Sequence, residues 1–261
     1  MSSLDQNAFI KRNITLNTNY SINPGNLQNP SWFLSRPLKN VVGVKVKDVI
    51  IPNTFYTIDS RNNNFSIIEN SGGNKTVSTI QLLPGNYTAT SLMATLGNIL
   101  TNNNVTGSTY ASVYNSFTNT MTLTQTVGSL AGAGFNVATV GNSMNYELGF
   151  TNQQANTVSS SITSITSKNG IDLSGIKALN ICAPVFGNVS EVIGSNFSIL
   201  ATVPITAPYL GINTLIDYSA DYLSISQNSV DNISLLLYDE QMRTITINNN
   251  YQITCGFQIR L

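Results

Sequence analysis

The chain has 261 residues, room for one large domain or two small ones, with 12 Lys and Arg against 12 Asp and Glu and no His. Charged residues are 9% of the chain, against about 25% in an average domain, so it lacks the clustered basic surface that nucleic acid or an acidic membrane needs. Without His a Ser-His-Asp triad is excluded, and a zinc site would need carboxylates and two distant cysteines.

The polar surface is supplied by amides and hydroxyls instead. Asn alone occurs 36 times, and Asn favours turns and left-handed positions over strand interiors. The runs Asn62–Asn64, Asn102–Asn104 and Asn248–Asn250 are therefore expected at loop tips. A surface so poor in charge has little self-repulsion and suits a subunit of a dense assembly.

Residues 1–30 read as an N-terminal arm. Its first residues carry no apolar core of signal-peptide length, and Arg12–Ile22 alternates weakly enough to add a strand to an edge. Turn punctuation follows at Asn23-Pro24-Gly25 and Asn29-Pro30, then an aromatic anchor at Trp32 and Phe33. The strongest strand signal comes next. Val42, Val44 and Val46 alternate with Lys45 and Lys47, which predicts one buried and one wet face. Val49, Ile50 and Ile51 extend the strand until Pro52 stops it.

Phe65–Glu69 and Thr76–Leu83 read as strands around a Gly72-Gly73-Asn74 turn. The period then changes. Pro84-Gly85 ends the strand, Thr88 or Thr90 can cap a helix, and Leu92, Leu96, Ile99 and Leu100 form a stripe, predicting one helix over 89–101. Tyr110–Asn115 and Phe117–Val127 form a hairpin, with Phe117, Met121, Leu123 and Val127 expected on the inner face. Residues 128–134 (GSLAGAG) are glycine-rich but lack the strand and helix context of a phosphate cradle. Ser143 is expected to cap a single turn ending near Phe150, and 151–170 to form a long polar loop.

Strands are expected at Ile176–Ala183 and Phe197–Ile205, then irregular chain over Tyr209–Tyr218 and a short strand at Tyr222–Ser226. A hairpin of Ile233–Asp239 with Thr244–Ile247 follows, then a last strand in which Ile253, Cys255, Phe257 and Ile259 alternate with polar residues. No apolar run approaches the length of a membrane span. Cys182 and Cys255 both lie in apolar strand patterns and are read as free, buried thiols of a reducing compartment.

Ten or eleven short strands with uneven connections and one helix predict an all-β fold, a single jelly-roll β-sandwich, at 31–261, carrying a helix and hairpin excursion at about 84–170. An immunoglobulin-like sandwich lacks its Cys…Trp…Cys arrangement, since Trp32 precedes both cysteines. Asp217 with Asp221, and Asp239 with Glu240, are the acidic pairs to weigh as catalytic carboxylates or calcium ligands, but no D-x-D-x-D loop accompanies them. Tyr110 and Tyr114 are spaced as cross-strand packing residues. No catalytic, cofactor-binding or metal-binding residue is assigned, no cofactor is expected, and the chain is not read as an enzyme.

Six segments stand in order: IPNTFYTI at 51–58, IQLLPGNYTATSLMATLGNIL at 80–100, the Thr-rich hairpin leading to YELGF at 146–150, KALNICAP at 177–184, FSILATVPITAP at 197–208, and the stretch from ISLLLYDEQMR at 233 to the last strand. Together they resemble the penton and minor capsid proteins of icosahedral DNA viruses with double-jelly-roll major capsid proteins (virophages, polinton-like viruses and giant viruses). The resemblance implies a jelly-roll penton capsid protein, a homopentamer at the five-fold vertices. Its partners would be the double-jelly-roll major capsid protein and other minor capsid proteins, with no direct contact to nucleic acid. It would be located in the virion and made in the host cytoplasm. A minor capsid or cement role, and a β-sandwich receptor-binding module, are the alternatives.

Overall fold

A computed structural model describes residues 8–71, 74–104, 106–126, 134–138, 140–151, 163–186, 199–245 and 247–261. The chain divides into two compact units. Unit 1 combines Met1–Phe55 with Ile176–Leu261, and unit 2 is the intervening Tyr56–Gly175.

Unit 1 begins with β1 (Phe9–Asn17), β2 (Ser31–Lys39) and β3 (Val41–Pro52). The residues read from the sequence as an arm thus supply β1, which pairs along its whole length with the last strand of the chain. In β3, Val44 and Val46 are buried as expected, but Val42 is only half-buried, and Val41, Val49 and Ile51 carry the rest of the inner face. The cause is a pair of β-bulges. The register against the last strand slips between Gln258 and Ile259, beside Val42, and between Thr254 and Cys255, beside Lys47. Each extra residue shifts the alternation by one and resets which side faces the core.

Unit 2 contains β4 (Asn64–Ser71), β5 (Asn74–Gln81), α1 (Ala89–Asn103), β6 (Thr109–Asn115), β7 (Thr120–Thr126), β8 (Gly134–Ala138) and β9 (Ser164–Thr166). Two three-stranded sheets result, in the orders β5-β4-β8 and β6-β7-β9. The helix starts where the sequence places it. Thr88 Oγ1 accepts from Ser91 N at 3.2 Å, and Ser91 Oγ accepts from Thr88 N at 3.0 Å, a reciprocal cap. Asn104 closes the other end by donating to the carbonyls of Leu100 and Thr101. Leu92, Met93, Leu96 and Leu100 are buried with Phe65, Ile67, Met121, Leu123, Phe135 and Val137 in a core belonging to unit 2 alone.

Two expectations fail in this unit, and one strand, β8, has no sequence reading. Phe117 is fully exposed, because residues 116–119 form the turn of the β6–β7 hairpin, with Asn119 at φ 54°, and a residue in a turn no longer follows the strand's alternation. Residues 164–166, placed in a polar loop, form β9, whose Thr166 and Ser164 hydroxyls pair with Thr122 and Thr124 of β7. β8 is short enough that its apolar residues give no period to read.

The chain then returns to unit 1 with β10 (Ala178–Cys182), β11 (Ile199–Pro204), β12 (Ile212–Ile216), β13 (Leu223–Ser224), β14 (Ser229–Ser234), β15 (Leu236–Tyr238) and β16 (Gln252–Arg260). The stretch expected to be irregular, 209–218, contains β12, antiparallel to β3. β16 is central in the order β1-β16-β3-β12, with β13 also paired to β3. β11, β10 and β15 form a second group, and β14 pairs with β2. β14 and β15 are separated by Leu235 alone, and β12 and β13 share the same neighbour. Counting each of these pairs as one interrupted strand gives, among the described residues, eight strands wired 1-8-3-6 and 2-7-4-5, the two four-stranded sheets of a jelly roll. Unit 2 is spliced between the third and fourth strands. Trp32, Val44, Leu179, Ile181, Leu237 and Phe257 are among the residues of both sheets that fill one core.

Candidate functional site

The acidic pair flanking the β12–β13 connection leads to the most constructed polar site of unit 1. Lys45 points to the outer face of the β1-β16-β3-β12 sheet, as its alternation predicts, yet it is only 7% exposed. The segment between Asp217 and Tyr222 crosses over it. Its ammonium donates to Ser219 O at 2.6 Å, to Asp217 Oδ2 at 3.1 Å and to Asp217 O at 3.3 Å, so all three protons have acceptors. Asp217 in turn accepts from Ser219 N at 2.8 Å and from the Ser219 hydroxyl at 3.1 Å. These donors, with the Lys45 ammonium after them, hold the Asp217 carboxyl below the usual carboxylate range.

Gly43 makes the crossing possible, and Gly256 lies beneath the far end of the Tyr222 ring. A Cβ on Gly43 would lie 2.9 Å from the Tyr222 Cβ, and one on Gly256 would lie 3.5 Å from its hydroxyl. Tyr222 therefore lies across β3 and β16, and the ammonium groups of Lys11 and Lys45 lie 5.5 and 5.8 Å from its ring centroid. A shallow cleft of about 350 Å³ borders the site, lined by Leu200, Leu215, Asp217, Asp221 and others. The arrangement neutralises and immobilises every charge it buries. It fastens the connection between the two halves of the sixth jelly-roll strand to the sheet.

The other sequence candidates separate. Asp221 is exposed on the same connection. Asp239 is fully buried and terminates the β15 turn: its carboxylate accepts from Gln241 N, Arg243 N and Arg243 Nε at 2.7–3.0 Å. Glu240 accepts from Lys177 N at 3.3 Å. Tyr110 is buried in the core of unit 2, where its hydroxyl donates to Glu69 Oε1 at 2.8 Å. Burial first, and the Glu69 carboxylate second, push its ionisation upward. Tyr114 bonds Asn119 at the hairpin end. The glycine-rich 128–133 lies outside the described residues. Cys182 and Cys255 are free and buried, and burial raises their thiols to about 11 and about 12. Among the described residues no group of three or more His, Cys, Asp or Glu is placed to hold a metal, and no helix is long and apolar enough to cross a membrane.

Sequence reasoning missed a second polar hub. Glu69 sits at the inner end of β4, fully buried, and accepts from Ser78, Thr106 and Tyr110, while Gln125 bonds Tyr110 and Ser108. The available signal was Glu69 falling on the same strand face as Phe65 and Ile67. A carboxylate in such a position requires hydroxyl donors, and the Thr- and Ser-rich strands around it supply them.

No curated protein matches the chain. Among solved structures, the crystal structure of the selenomethionine-labelled mavirus penton protein is similar at 13% identity, covering 96% of this chain and 99% of that chain, with a TM-score of 0.44. A family model described as a family of unknown function, DUF5901, matches residues 17–250, and the chain belongs to that family.

Proposed function

We propose that this protein is a capsid building block, a penton protein that closes a ring of five at the vertices of an icosahedral capsid. It acts as a structural component and not as an enzyme. Its neighbours on the capsid are double-jelly-roll major capsid proteins and other minor capsid proteins, and its place is the virion. The observation that carries the reading is the eight-strand jelly-roll wiring with a separately cored unit spliced between its third and fourth strands. The segments that resemble penton and minor capsid proteins run through both units in order, so they follow this architecture and not one isolated motif. The low charge of the chain adds support, because subunits packed on all sides need surfaces that tolerate close neighbours.

Native mass spectrometry of the purified chain, across salt and protein concentration, tests the proposal. A species of five chains is the expected result. A stable trimer would overturn it in favour of an attachment protein, and a chain that neither forms fives nor joins vertices when mixed with the major capsid protein would overturn it outright.

A further inference from the structure

The two edges of the β1-β16-β3-β12 sheet differ in character. On the β1 edge, Phe9 is 41% and Ile10 50% exposed, followed by exposed Lys11 and Arg12. Arg260 of β16 stands opposite Phe9. On the opposite edge, β12 exposes Ile212 (62%) and Ile216 (54%), followed by Tyr218 and by exposed Asp221 before β13. Among the described residues neither edge has a second strand. The charges also match in height. Lys11 and Arg12 lie level with Gln258 and Phe257, these with Gly43 and Val44, and these with Ser224 and Leu223, three and two residues past Asp221. One edge is basic where the other is acidic, while the exposed apolar residues stand at opposite ends: Phe9 and Ile10 are level with Arg260 and Ile259, and Ile216 is level, through Asp48 and Thr254, with Thr15.

From this we infer that the two edges bind each other between copies of this chain: the β1 edge of one copy meets the β12–β13 edge of the next. The inference rests on the proposed capsid role and names the surface that would build its ring. Every neighbour in the order β1-β16-β3-β12 is antiparallel, so the two edges run in opposite directions. A copy rotated about an axis along the strands therefore presents an antiparallel partner. Basic residues on an edge strand ordinarily guard against pairing. Here they select the partner. A β1–β1 contact sets Lys11 and Arg12 against themselves, a β12–β12 contact does the same to Asp221, and the head-to-tail contact alone pairs opposite charges. Head-to-tail contacts between identical chains close rings or extend filaments.

The test uses the full chain with Arg12→Glu, with Asp221→Lys, and with both together, assayed by native mass spectrometry and sedimentation, with thermal melting as a control for folding. Each single reversal is expected to weaken self-association by about tenfold or more, the double reversal to recover it, and added salt to weaken the wild type. Rings of five that ignore both reversals overturn the edge contact and leave the penton reading standing. An assembly of another number that the reversals break and the double variant rescues keeps the contact and overturns the ring of five. A wild-type chain that stays monomeric at low salt overturns the contact, as does assembly that appears only when the major capsid protein is added.

Discussion

Lys45 carries its charge under a loop because its three protons meet three oxygens there. Replacing it with Ala leaves those oxygens without their donor and removes the packed stem, so a loss of ~2 kcal/mol is expected from urea unfolding. Asp217 adds a pH signature. Its folded-state carboxyl titrates lower than an unfolded one, so its contribution is present above about pH 4 and is lost as pH falls through the folded value. The stability difference between wild type and Asp217→Asn should therefore shrink as pH drops below about 4, which urea midpoints across pH would measure. A gap that stayed constant into acid would refute the assignment. The facing of Lys45 was legible in the sequence. Its burial was not, because it depends on a segment 172 residues away crossing the strand, which no local pattern encodes.

Elements were readable where period and punctuation agree. The helix was clear because Thr88, the leucine stripe and Pro84-Gly85 mark the same boundaries. β12 was missed because Tyr209–Tyr218 holds only five strand residues between Pro208 and Asp217, and their pairing is supplied by β3. The phase of β3 was misread because bulges are visible only from the partner strand. The turn after Met144 gives a sharp test of local backbone demands. Gly149 has φ 78°, and a Cβ there would run into the carbonyl of Asn169, whose N–H bonds Gly149 O at 3.0 Å. Gly149→Ala combines a left-handed conformation with a backbone clash and should destabilise unit 2 by more than ~1 kcal/mol, read as a lowered melting temperature. Gly141, whose added Cβ would meet nothing within 4 Å, is the control and should tolerate Ala.

At the scale of the molecule, unit 2 has its own core and sheets. Expressed alone as residues 56–175 it should fold, with a cooperative thermal transition and a strand-rich circular dichroism spectrum. A disordered spectrum would show that its core is insufficient without unit 1. The all-β class and the jelly-roll type were legible from strand spacing. The exact insertion point was not, because it is defined by β3 and β10 belonging to opposite sheets, a fact of pairing and not of composition.

The same wiring sets an order of events during synthesis. Unit 2 closes on itself from residues that emerge together, and its pairings can form while the rest is still being made. Unit 1 cannot. Its central strand, β16, follows every other strand in the chain and pairs with β1 more than 230 positions earlier. Until β16 arrives, β1 and β3 lack the neighbour that separates them, and the other sheet, whose strands are all made by Tyr238, faces an incomplete layer. Such long-range closure is slow. The nascent jelly roll is therefore expected to spend its wait bound by chaperones, with unit 2 already folded within it.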